Sequence, residues 1–501
     1  MSVVIAIDEG TTGVRAFAVD ASGRPVASSY REFTQHFPRP GWVEHDPLEI
    51  LDATLEVLAA TVAQLDEPVA AIGITDQRET VVAWDRRTGR PRHRALVWQD
   101  RRTTERCDEL MAAGELPRIR ELTGLVLDPY FSASKMEWLL RHGDVAVDDD
   151  LALGTIDSWL AWNLTGEFVT DPSNASRTML FDLRERTWSA ELCDLFGVPM
   201  TALPEVRPSV GEFGRTKDGL PVPAGVTLSG IAGDQQASLF GQACIEPGMA
   251  KNTYGTGSFV LLNVGETCPD PCDGLLTTIA WEVPASAFGV GGGGTVTHYA
   301  LEGAIFSTGS AVQWLRDGLG LVEDAAECGP LAESVEDTGG VVLVPAFTGL
   351  GSPWWDPRAR GAVLGVTRGT TRAHVARATV ESMAFQTRDV VTAMTAASGE
   401  PLRSLRVDGG AAAMGLLLQL QADQLGVRIE RSAIQETTAL GAAYLAGLGA
   451  GVWSDAADMA ATWAADAVVE PGRDPATADA ADAAHARWLE GVRRSRDWAL
   501  D

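Results

Sequence analysis

The sequence predicts an α/β protein of two large domains flanking a central cleft. Three observations carry this. The chain has 501 residues, more than one hydrophobic core organises. A short β-branched strand followed by a glycine turn occurs twice, as "VVIAIDEGTTG" near the start and "KNTYGTGSFVLLNVG" from residue 251. Each occurrence opens a stretch that runs from strands into helices.

The elements follow in order. "VVIAID" is apolar, β-branched and short, a buried strand. "VRAFAVDASGRPVASSYREF" continues as two more strands around the turn "ASGRP". "VAAIGIT" and "TVVAWDRRTGRPRHRALVWQ" repeat the strand and hairpin theme, with helical stretches over 47–65, 101–112 and 132–142. "GQACIEPGMA" breaks the pattern before the second half begins. That half places three apolar strands ahead of Ala-rich helices at 371–398, 411–425 and 437–449. The expected domains are therefore 1–245 and 246–452, followed by an Ala- and Asp-rich tail at 453–501 read as surface helix.

Composition is that of a soluble globular enzyme. The 68 acidic residues outnumber the 40 basic ones, for a net charge of −28. Such a surface excludes nucleic acid and anionic membranes as partners. An anionic ligand must instead be held by backbone N–H groups, a bound cation or one placed arginine. The opening "MSVVIAIDEG" lacks the basic segment of a signal peptide, and no apolar run reaches membrane length, which points to the cytoplasm. The six cysteines are scattered, and "CPDPC" has no second pair or nearby histidine to make a metal site.

Chemistry-bearing residues cluster at turns. Asp8 ends the first strand and precedes Gly10, Thr11 and Thr12, whose N–H groups and hydroxyls suit phosphate oxygens while the Asp suits magnesium. An Asx-type turn is the competing account of that loop alone. "NTYGTGSF" has the same grammar at the head of the second half, and two such loops facing one cleft make a phosphate clamp. Neither is a Walker A loop, since no G-K-[ST] follows. Arg78 and Glu79 leave an apolar strand as an adjacent charged pair; Trp98 and Tyr130 alone would read as core. "RVDGG" gives Gly409 and Gly410 between a strand and a helix, either a plain connection or a nucleotide seat. Asp234, in "SGIAGDQQASLFGQ", can cap a helix, hold a metal or take a proton.

The strings "DEGTT", "GITDQRET", "VWQDRRT", "NASRTMLFD", "GIAGDQQASLFGQ", "GMAKNTYGTGSF", "YALEGAIF", "VPAFTGLGSPWWDPRARG" and "ETTALGAAYLAG" together resemble the FGGY family of carbohydrate kinases, its glycerol kinases in particular. They keep the family's order from about residue 4 to 453. The resemblance implies two ribonuclease-H-like domains of the actin and heat-shock ATPase type, closing on ATP and a polyol. By position it implies that Arg78, Glu79, Tyr130, Asp234 and Gln235 contact glycerol and that Trp98 and Phe259 wall it. It implies that Asp8 holds Mg2+ and that Thr11, Thr12, Arg15, Thr256, Gly309, Gln313, Gly410 and Met414 lie on the nucleotide side. Several positions depart from the family: Glu9 for Gln, Gly13-Val14 for Ser-Ser, Met414-Gly415 for Asn-Asn, and a glycine run at 291–294. The resemblance leaves room for a homodimer or homotetramer.

Within that frame Asp234 is the base for a terminal hydroxyl attacking the γ-phosphate of ATP. Arg78 is a donor and Glu79 an acceptor for neighbouring hydroxyls, with the two rings on the carbon edge. A kinase for another small polyol or ketose, a chaperone-like ATPase and a non-catalytic polyol sensor are the competing readings.

Overall fold

The computed structural model describes residues 2–499. Strands β1 (Val3–Glu9), β2 (Gly13–Val19) and β3 (Pro25–Glu32) form an antiparallel meander. Helix α1 (Pro47–Val62) starts where Asp46 accepts the Leu48 N–H and proline occupies the first turn. It leads to β4 (Val69–Asp76), which runs parallel to β1. The chain then builds an inserted layer, a four-stranded sheet from 44–45, 81–85, 95–96 and 151–155 beside helix α2 (Ser132–His142). It returns through β5 (Val210–Arg215) and β6 (Thr227–Gly233), giving the order β5-β6-β4-β1-β2-β3. Helix α3 (Asp234–Gly241) leaves the end of β6.

The second half repeats this logic. Strands β7 (Met249–Tyr254), β8 (Ser258–Gly265), β9 (Leu276–Pro284) and β10 (Thr295–Ile305) are antiparallel neighbours. After helix α4 (Arg372–Ser398), β11 (Ser404–Gly409) pairs parallel to β7. Helix α5 (Gly415–Leu425), β12 (Ile429–Ser432) and helix α6 (Thr437–Gly449) follow. In both sheets an antiparallel hairpin adjoins two parallel strands, and a helix leaves the last of these, α3 in one half and α6 in the other. The repeated strand-and-turn pattern in the sequence is this duplication.

The Ala-rich character of α6 has a specific cause. Although it belongs by sequence to the second half, it lies on the first sheet, against β1, β4 and β6, and crosses α3. A Cβ on Gly441 would sit 1.8 Å from the Ala237 carbonyl oxygen, and one on Gly73 in β4 would sit 2.2 Å from that of Ala442. Only small residues allow this backbone-to-backbone approach. Val4, Phe17, Phe240, Trp281, Tyr444 and Trp453 form one core shared by both halves.

The tail does more than the surface helix expected of it. Trp453 is buried and donates its indole N–H to the Ala21 carbonyl at 3.0 Å. Residues Ala465–Val469 form β13, the edge strand of the second sheet beside β12. Helix α7 (Pro475–Ser495) buries Trp488, whose indole N–H reaches Asp389 at 2.8 Å. All six cysteines are free. No helix among the described residues is long and apolar enough to cross a membrane.

Candidate active site

Asp234 is the first residue of α3, with Gly233 as the preceding cap residue. Its side chain is about one-third exposed. Oδ1 accepts the Gln235 backbone N–H at 2.7 Å and faces Arg78 Nε at 3.0 Å. Oδ2 accepts from the Gln235 side-chain amide at 3.2 Å. One oxygen is thus fixed by a buried cation, while the other, bonded only by an amide, keeps a second lone pair.

Arg78 is buried, and its guanidinium is ringed by protein acceptors. Besides Asp234, Nη1 reaches Glu302 Oε2 at 2.5 Å and Gln236 Oε1 at 3.2 Å; Nη2 reaches Glu302 Oε1 at 3.2 Å and the Tyr130 hydroxyl at 3.4 Å. Sequence reasoning gave Arg78 to substrate hydroxyls alone. In the structure its main business is with carboxylates, and the long Tyr130 contact is the one a hydroxyl can most readily share.

Glu79 adopts a left-handed backbone conformation with φ 65°, held by the Ser132 hydroxyl donating to its carbonyl at 3.1 Å. Its Oε1 accepts from Arg177 Nε at 2.7 Å, leaving Oε2 as acceptor for a hydroxyl. Burial pushes its carboxyl up, against the opposing pull of Arg78 and Arg177. Arg177 Nη2 also reaches Glu302 Oε1 at 3.0 Å. Burial likewise raises Glu302, yet Arg177 and Arg78 outweigh it and hold its carboxyl at about 2. Lys251, fully buried on β7, donates to Gln235 Oε1 at 2.5 Å and to the Thr253 hydroxyl at 3.0 Å. Its ammonium is pulled down to about 8 by burial, opposed by Asp408 and Asp234. Arg78, Arg177 and Lys251 therefore balance Asp234, Glu79 and Glu302, three cations against three carboxylates.

Glu302 and Lys251 belong to the second half, the others to the first, so this cluster ties the halves together. Arg177, Glu302 and Lys251 escaped the sequence reading. Their signal was there: Glu302 is a lone charge inside the apolar strand "YALEGAIF", where an unpaired carboxylate would be costly.

Tyr130 is positioned by a second buried lysine. Lys135 in α2 donates to the carbonyls of Pro129, Tyr130 and Phe131 at 2.6–2.9 Å, pinning the turn. Trp98 packs edge-on to Tyr130 with centroids 5.5 Å apart, and its indole N–H donates to the Thr11 hydroxyl at 2.9 Å. Phe259 comes from the other half, on β8, half-buried.

A cleft of about 640 Å³ is lined by Thr256, Gly309, Gln313, Arg316, Gly410 and Met414 among others, and five of these are residues expected on the nucleotide side. Met414 lies against Gly329. Asp8, Thr11, Thr12 and Arg15 lie on the β1–β2 turn and the strand ends beside it, and Arg15 pairs with Glu436 at 3.2 Å across the halves. Gly13 leaves no room for a side chain: a Cβ there would lie 2.5 Å from the Arg31 carbonyl oxygen and 2.6 Å from the Tyr30 hydroxyl. Glu9 is fully buried and accepts from the Gln77 amide at 3.1 and 3.2 Å, away from the cleft. Residues 291–294 lie in an open loop with nothing packed on them.

Comparison with known proteins places this geometry. Models for the FGGY family of carbohydrate kinases match in both parts, the N-terminal domain over residues 3–241 and the C-terminal domain over 250–450. The chain belongs to the FGGY family of carbohydrate kinases. It is 52% identical to a glycerol kinase of Dechloromonas aromatica (strain RCB), over 99% of this chain and 98% of that one. It is 50% identical to a glycerol kinase of Carboxydothermus hydrogenoformans, over 99% of both. The crystal structure of Plasmodium falciparum glycerol kinase with ADP superposes with a TM-score of 0.91 at 35% identity, covering 99% of this chain and 98% of that one. The fold is accordingly the two-domain actin and heat-shock ATPase type that the sequence led us to expect.

Proposed function

We propose that the protein phosphorylates glycerol to glycerol 3-phosphate with ATP as donor and Asp234 as general base. The observation that carries this is the state of Asp234: one oxygen is tied to Arg78 and its own helix start, while the other accepts only the Gln235 amide and keeps a lone pair for a hydroxyl proton. A terminal hydroxyl placed there gives its proton to Oδ2 as its oxygen bonds to the γ-phosphorus and the bond to the β-phosphate oxygen breaks. Glu79 Oε2 accepts a second hydroxyl, and Tyr130 and Arg78 share the third. Trp98 and Phe259 cover the carbons. Full-length relatives named glycerol kinase at about half identity support the same acceptor.

The donor lies in the Met414 cleft with its phosphates toward Thr11, Thr12, Arg15 and Thr256. The residues fit magnesium in one way. No trio of His, Cys, Asp or Glu suited to a metal occurs among the described residues. The Asp8 carboxyl is pushed up to about 7 by burial and by Asp234 and Glu436, with Arg15 as the opposing cation, so a further cation would offset the excess of negative charge here. Asp8 would hold Mg2+ through water together with phosphate oxygens, and the ion would supply charge neutralisation on them. Closure of the halves around the cleft keeps water from competing as acceptor.

The test is ADP release with saturating Mg-ATP across glycerol, dihydroxyacetone, erythritol and xylulose. Glycerol should give the highest kcat/KM, with dihydroxyacetone second. A higher value for erythritol or xylulose would make the protein a kinase of the same family with another acceptor. No ADP release with any of them would point to the sensor reading instead.

A further inference from the structure

Lys251 is a charged side chain at 0% exposure that the mechanism above does not use. A buried ammonium is costly, and an apolar residue would fill the same volume without that cost. What the ammonium adds is direction. It carries donors only, so it can face only the oxygen end of the Gln235 amide, at 2.5 Å. The nitrogen end must then point the other way, and it does, 3.2 Å from Asp234 Oδ2. Thr253, on the same strand, takes another of the lysine's hydrogens at 3.0 Å and holds its head in place.

We propose that Lys251 is a positioning residue for the phosphoryl acceptor: it locks the Gln235 amide with its N–H groups toward Asp234. The consequence reaches the reacting hydroxyl. With the amide locked, Gln235 can only donate beside Asp234, which can only accept. A hydroxyl between them takes one N–H on a lone pair and must turn its own proton to Oδ2, leaving its second lone pair for phosphorus. Gln235 rides on α3 of the first half and Lys251 on β7 of the second. The acceptor is therefore aligned only while the two halves are joined as described.

This rests on Asp234 acting as base, so variants are compared with wild type on whichever acceptor wild type turns over fastest. An inactive wild type counts against the proposed function; an unchanged ratio of variant to wild type counts against Lys251. The experiment is a double-mutant cycle on kcat with Lys251→Met and Gln235→Leu, with Lys251→Gln as a second neutral variant that keeps a polar head against Thr253. Each lysine variant should lose about 10- to 100-fold in kcat, the scale of a misaligned reactant, with KM for ATP unchanged. The double variant should fall within about threefold of the worse single one, because the lysine acts through the amide. Losses that multiply, a lysine variant keeping over half of wild-type kcat, or a loss confined to KM for ATP would each overturn the proposal.

Discussion

Arg78 Nε lies 3.0 Å from Asp234 Oδ1, and the same guanidinium grips both oxygens of Glu302 from the opposite half of the molecule. The proposed base is thus held by a cation that is itself held across the domain boundary. Removing one partner of such a buried set leaves an uncompensated charge, a change of about 3–5 kcal/mol.

That arrangement fixes the acid limb of stability. Glu302 titrates at about 2 in the fold against 4.5 ordinarily, a depressed carboxyl, so its contribution is present above pH 4.5 and is lost as pH falls from there through 2. At 1.36 kcal/mol per unit, the difference is on the order of 3 kcal/mol. Urea midpoints from pH 6 down to 3 should fall for wild type. In Glu302→Gln they should start lower and fall less steeply; a parallel decline in both proteins would remove Glu302 from the acid response.

The acceptor wall separates into two functions at Trp98. Trp98→Phe keeps a ring beside Tyr130 but loses the bond to Thr11, about 0.5–1.5 kcal/mol, and part of the indole's volume, so kcat/KM for glycerol should fall by about tenfold. Trp98→Ala should fall further and should raise erythritol use relative to glycerol. Equal losses in both variants would place the whole effect in the hydrogen bond.

In the proposed donor cleft, Met414 offers no hydrogen bond to a base, and it lies against Gly329. One missing neutral hydrogen bond is about 0.5–1.5 kcal/mol. The ratio of kcat/KM for ATP over GTP should therefore stay within about tenfold. A preference above a hundredfold would show that another group, such as Gln313, reads the adenine.

The crossing of α3 and α6 makes a stability prediction. Gly441→Ala puts a methyl group 1.8 Å from the Ala237 oxygen, and overpacking of this kind destabilises by about 1–3 kcal/mol or more. Gly293→Ala, in the open glycine run with nothing within 4 Å, should stay within about 1 kcal/mol of wild type. Thermal melts compare the two; a neutral Gly441→Ala would mean that the helices can part without loss.

Much of this site was readable from residues at strand ends. Arg78, Glu79 and Asp234 stand where apolar runs stop, and the structure brings all three together. The charges that hold them in place were harder to see. Arg177, Lys251 and Glu302 lie within strings that otherwise read as structure, and their partners come from elements far away in sequence. Helix α6 shows the same limit for the fold. Its Ala-rich run was legible as a helix, yet which sheet it packs on is decided by the chain path, so a cut at 452 divides a core that Trp453 in fact shares with Val4 and Phe17. Glu9 and Gly13, two of the positions that depart from the family's pattern, answer to Gln77 and to Tyr30 beneath the loop.

The central claim is that Asp234 takes the proton of the acceptor hydroxyl, and kcat of Asp234→Asn tests it most directly. Asparagine keeps the size of the side chain and an oxygen that can face Arg78, so the fold should persist by circular dichroism and glycerol should still bind by calorimetry. A positioned acid–base group contributes about 10²–10⁴-fold, and kcat for glycerol under saturating Mg-ATP should drop by that factor. A folded, glycerol-binding Asp234→Asn that retains more than a third of wild-type kcat would contradict the account.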